Sequence, residues 1–226
     1  MLTLMTDPLP DAPYDYPAYA RSERIADFVV HTLGMALGLI GTTLLIVFAA
    51  MHLGAGHVAV IAIYGAALTF SFVASTLYHF TPWEGARPLF RRLDHAGIFL
   101  KIAGTYTPFA LIVGTVFGYA VLAVVWVLAL VGVIRKLFFW TPGRAVGVAL
   151  YLALGWLSVA LIWPLAQVAP LATVILIAVG GILYTSGVVF FLWEKLKYCQ
   201  AIWHGFVLTA SSCFFTAIAL GLFLTA

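Results

Sequence analysis

Four of the six histidines, with one serine and one aspartate, stand at the edges of long apolar tracts: His31, Ser75 and His79, Asp94 and His95, and His204. Imidazole and carboxylate groups are the donors of a divalent metal site and the usual carriers of general acid–base chemistry. Ser75 and His79 are four residues apart and share one helix face, which suits a metal ligand with a polar partner beside it. Each residue also has a plainer role. A lone interfacial histidine such as His79 can bond a headgroup or a loop carbonyl, and a carboxylate such as Asp94 in a first helical turn caps its helix and complements the dipole. His95 points about 100° away from Asp94 around a helix and serves packing or the interface. Lys101 follows Asp94 by seven residues, on nearly the same face and about 10 Å deeper. It either snorkels toward the water or tunes the polar site through Asp94, and His31 is a second tuning candidate.

The elements that must hold these groups are set by composition. Hydrophobic residues make up 64% of the 226 positions, charged residues 8%, and the mean hydropathy is +1.11. A soluble domain carries about a quarter charged residues, so this chain is a membrane protein. A net charge of +3 is too small to point to nucleic acid. Tracts free of Asp, Glu, Lys and Arg are long and rich in Leu, Ala and Gly, which excludes a barrel of short alternating strands. Their lengths predict an all-α bundle of seven transmembrane helices over approximately 28–51, 57–80, 94–113, 119–137, 145–165, 170–193 and 200–224. The tract 145–193 is expected to break near Trp163-Pro164 and Ala169-Pro170. Residues 1–24, with four prolines and acidic residues at their start, read as a disordered cytoplasmic arm preceding the membrane domain 25–226. Gly34, Gly38 and Gly41 form a small-residue stripe for close helix packing. Cys199 and Cys213 are 14 residues apart, about 21 Å along a helix, too far for a disulfide.

Charge placement orients the bundle. Arg21 and Arg24, then Arg87, Arg91 and Arg92, then Arg135, Lys136 and Arg144, then Lys195 and Lys197 fall on alternating connections, and only Lys101 lies elsewhere. The positive-inside rule then puts the N-terminus in the cytoplasm and the C-terminus outside. His31, Ser75, His79, Asp94 and His204 all come to the cytoplasmic ends of their helices, with Asp94 and His95 opening the third span. His52 and His57 fall in an outer loop, where they are solvated.

The segments Ser75-Thr-Leu-Tyr-His79-Phe, Asp94-His-Ala-Gly-Ile-Phe-Leu-Lys-Ile-Ala-Gly-Thr-Tyr-Thr-Pro108-Phe and Ala201-Ile-Trp-His204-Gly-Phe-Val resemble the hemolysin III family, which belongs with the progestin and adipoQ receptors. Glu23-x-Ile-Ala-Asp27-x-x-x-His31 resembles the family's opening, with Asp27 where Asn is usual, and Gly180-Gly181-Ile-Leu-Tyr-Thr-x-Gly187 is similar to its sixth span. The resemblance covers essentially all the spans. It implies a zinc site with three histidine ligands. Carried over by position, His79 and His204 are metal ligands, Asp94 holds the attacking water, and Ser75 is its polar neighbour. The chain departs at Gln200, where the family's seventh-span H-x-x-x-H has its first histidine. A neutral amide is a poor zinc ligand, so zinc occupancy hangs on that position. The adjacent Cys199 would be a strong ligand as thiolate, but it lies about 140° from His204 around a regular helix.

Three functions remain open on this reading. The first is a metal-dependent, ceramidase-like hydrolase of a lipid amide or ester, with Asp94 accepting a proton. The second is a non-enzymatic sensor or regulator of membrane lipid. The third, a pore-forming cytolysin, is disfavoured because no span carries a polar stripe along its full length. The expected partners are membrane lipid and a lipid amide substrate. The short loops and tail point to a bacterial plasma membrane.

Overall fold

A computed structural model describes residues 16–139 and 144–225. Within a bilayer every backbone N–H and C=O must be satisfied inside the segment, and the chain meets this with helices: α1 (Arg21–His52), α2 (Ala55–Phe80), α3 (Arg87–Val113), α4 (Val116–Phe138), α5 (Arg144–Trp156), α6 (Val159–Val168), α7 (Leu171–Leu192) and α8 (Cys199–Thr225). A short 3₁₀ turn, Glu84–Ala86, leads into α3. Among the described residues, seven segments are long and apolar enough to cross a membrane, with α5 and α6 together making the fifth. The protein is therefore a multi-pass integral membrane protein with an all-α, seven-span bundle. Leu37, Leu39, Ile40 and Leu44 on α1 are exposed, as residues facing lipid should be.

Helix α3 lies at the centre, against α2, α4, α6 and α8, while α1 packs on α2 and α8. Small residues set the spacing. A Cβ on Gly65 of α2 would lie 1.8 Å from Thr42 Cγ2 of α1, and one on Gly104 of α3 would lie 2.7 Å from Ala67 Cβ of α2. Helix α3 ends at Gly114, whose φ of 63° is the left-handed cap conformation. Thr115 then caps α4 by accepting from the Gly118 N–H at 3.2 Å.

The structure differs from the sequence expectation at three places. The third span begins at Arg87 rather than at 94, because Arg87 is buried and donates to the Tyr78 and Thr81 carbonyls at 2.8 Å while pairing with Glu84. That staple ties α3 to the end of α2. Asp94 consequently lies two turns inside its helix and cannot be the cap of it. The fifth and sixth spans part at Ala169-Pro170 and not at Trp163-Pro164, since Pro164 sits inside α6, and the fifth span carries a further break at Leu157-Ser158. The Ser158 N–H turns to Gly155 C=O at 3.1 Å, and the Tyr106 hydroxyl of α3 meets the Leu154 and Gly155 carbonyls, each at 2.9 Å. At the N-terminus, Arg21 to Arg24 form the first turn of α1 instead of the end of an arm, and Tyr16–Ala20 precede it without regular secondary structure. Residues 1–15 of the expected arm lie outside the described residues. Neither cysteine forms a disulfide among the described residues.

Candidate metal centre

Asp27 and His31 are one turn apart in the first turns of α1, His79 is in the last turn of α2, and His204 is in the second turn of α8. Because α1 packs against both α2 and α8, these turns meet at the end of the bundle that carries the Arg and Lys clusters. His31, His79 and His204 each offer one ligand atom, all within 4.8 Å of one another, with exposures of 2%, 5% and 9%. Three buried imidazoles gathered so tightly form a candidate metal centre.

The partners of these rings fix their tautomers. His31 Nδ1 lies 2.9 Å from the Asp27 carbonyl, an acceptor only, so that nitrogen carries the proton and Nε2 keeps its lone pair. His204 Nδ1 lies 2.6 Å from Asp27 Oδ1 and donates to the carboxylate, again leaving Nε2 open. Asp27 thus holds two rings, and its Oδ2 stands 3.9 Å from His79 Nδ1. A carboxylate behind histidine ligands orients them and raises their basicity. His79 Nδ1 is held by the Tyr16 hydroxyl at 2.7 Å.

Ser75 Oγ is 3.1 Å from His31 Nε2, and Ser75 and Asp94 both line the cavity beside the cluster. The half-buried Asp94 also contacts His95 at 3.7 Å, whose own Nδ1 is held by the Arg91 carbonyl.

The geometry therefore gathers His79, His204, Ser75 and Asp94, and adds His31, which the sequence placed only among tuning residues. It adds Asp27 as well. The available signal was the Asp27-x-x-x-His31 spacing, one helix face at the same depth as His79 and His204. Gln200 lines the same cavity as the cluster, its Nε2 donating to the Tyr19 hydroxyl at 3.0 Å. The third imidazole comes from α1, not from that turn of α8. Cys199 Sγ turns to the Glu194 carbonyl at 3.9 Å. Lys101 lies deeper and makes no ion pair with Asp94 among the described residues.

A cavity of about 380 Å³ opens from the cluster into the bundle, lined by His31, Ser75, His79, Asp94 and His204 at one end and by Phe109, Leu161, Ile177 and Phe214 farther in. Tyr16 and Tyr19 line a separate small pocket with Asp27, His79 and Gln200. Arg87 stacks 4.4 Å over the Tyr16 ring, and Glu23 accepts from the N–H groups of Ala20 and Tyr198. The three imidazoles, with the Asp27 carboxylate beside them, are a donor set that fits a divalent metal ion.

Residues 20–215 match the family described as Haemolysin-III related. The chain is 39% identical to Hemolysin-3 of Bacillus cereus over 87% of its own length and 90% of that protein's. It is 35% identical to the Hemolysin-3 homolog of Bacillus subtilis, over 87% and 92%. A more distant similarity, 27% over 69% of this chain and 67% of the other, is to the human monocyte to macrophage differentiation factor.

Proposed function

The chain belongs to the Haemolysin-III related family, and on that footing we propose that it is a zinc-dependent hydrolase of a lipid amide or ester, its site at the cytoplasmic end of the bundle. The observation that carries the proposal is the three-histidine centre standing at the polar end of an apolar cavity sized for a lipid chain. His31, His79 and His204 would hold the ion, which supplies Lewis-acid polarisation of a carbonyl and of an attacking water when bound. Asp27 keeps the His31 and His204 rings in the tautomer that presents Nε2. Asp94, at the cavity wall, accepts the proton lost by the attacking water and returns it to the leaving amine or alcohol. Ser75 is the polar neighbour of Asp94 on the cavity wall and a hydroxyl partner of His31. Phe109, Leu161, Ile177 and Phe214 bind the chain and exclude bulk water from the reacting end.

Two observations support this orientation and depth: the basic residues at the same end and the apolar chamber beyond the cluster. The test is hydrolysis of a long-chain N-acyl lipid amide by the purified, reconstituted chain. Zinc-dependent release of the acyl product, lost in His79→Ala and in His204→Ala, is expected; release that persists in both variants overturns the proposal.

A second reading, the lipid-responsive regulator, is favoured by one feature. The histidines are satisfied by Asp27, Ser75 and Tyr16 of the chain itself, so the cluster can also hold the helices together without turnover. It predicts zinc binding and thermal stabilisation with no hydrolysis of any added lipid.

A further inference from the structure

Lys101 is the middle of α3, 14 residues or about 21 Å from Arg87 and 12 from Val113. Its side chain is 6% exposed. From this position it cannot reach either membrane surface, so snorkelling does not account for it. Among the described residues its ammonium forms no hydrogen bond and no ion pair; its neighbours are the Tyr184 ring at 5.0 Å and the Phe72 ring at 5.6 Å. Asp94 and His204 act on it only through space. The side chain lines the cavity, between the polar end and the apolar chamber.

A buried cation costs much unless an anion meets it. Two aromatic faces offset part of that cost, and each leaves the three N–H donors of the ammonium unused. We propose that Lys101 is the recognition group of an anion-binding subsite, and that the cavity takes a single-chain amphiphile whose carboxylate or phosphate seats on the ammonium while its chain fills the chamber toward Phe109 and Phe214. The headgroups of bilayer lipids lie outside the hydrocarbon core, whose half-thickness is about 15 Å, so only a molecule that has entered the bundle brings an anion to this depth. Hydrolysis of a lipid amide would leave such a carboxylate in the cavity, but the subsite needs no hydrolysis.

The test uses the full chain in phosphatidylcholine nanodiscs, stripped with chelator so that no metal holds the anion. Binding of palmitate, hexadecyl phosphate and neutral hexadecanol is measured for wild type, Lys101→Met and Lys101→Arg. The wild type is expected to bind at least one anionic probe about tenfold more tightly than hexadecanol. Lys101→Met should bring all three within about twofold, and Lys101→Arg should keep the preference. The better of the two anionic probes identifies carboxylate or phosphate. Equal wild-type affinity for all three probes, a comparison that needs no variant, overturns the proposal; so does a preference that survives in Lys101→Met.

Discussion

Asp27 is the residue on which the geometry of the centre turns, since its carboxylate and carbonyl fix the protonated nitrogens of His204 and His31. Replacing it by Asn keeps an acceptor but removes the charge. Loss of such a carboxylate partner lowers metal affinity by about 10- to 100-fold. Zinc competition against a chelator of known affinity should show that loss in Asp27→Asn with little change in folding, and unchanged affinity would remove Asp27 from the centre. Little of this was legible in the sequence. Depth along each helix follows from charge placement, and it brought His31, His79 and His204 to one level. Which helices adjoin does not follow from spacing, so nothing identified α1 as the neighbour of both α2 and α8. Resemblance directed attention to position 200, where the structure has an amide holding Tyr19, and away from α1, where the third imidazole is.

At the scale of elements, the spans were legible because a bilayer demands apolar length, while their irregularities were not. The break at Leu157-Ser158 is met by a hydroxyl from another helix: Tyr106 donates to the Leu154 and Gly155 carbonyls beside the broken turn. Tyr106→Phe leaves both without that partner at a cost of about 1–3 kcal/mol, and the apparent Tm in detergent should fall by several degrees; an unchanged Tm would show that the break is satisfied otherwise. Gly65→Ala should also destabilise, by about 1–3 kcal/mol, because the new methyl overlaps Thr42 and the α1–α2 approach must widen. A stability equal to wild type would mean that α1 yields without cost. The early start of α3 had no signal in composition, since its first turns carry three arginines. One of them, Arg87, is consumed by carbonyls at the end of α2.

For the whole molecule, the charge bias along the seven spans predicts that the Arg- and Lys-bearing end of the bundle faces the cytoplasm. With Cys199 and Cys213 changed to Ala, a cysteine at Gly85 should react with an impermeant thiol reagent only from the cytoplasm, and one at Gly56 only from outside. The reverse pattern would move the centre to the outer leaflet. The account as a whole requires that the three imidazoles act as one ligand set and that Gln200 is not part of it. The most direct measurement is zinc content by mass spectrometry on untagged protein, for wild type, His31→Ala and Gln200→Ala. About one zinc per chain is expected in wild type and in Gln200→Ala, with loss in His31→Ala. Zinc that stays in His31→Ala, or that leaves with Gln200, would contradict the centre described here.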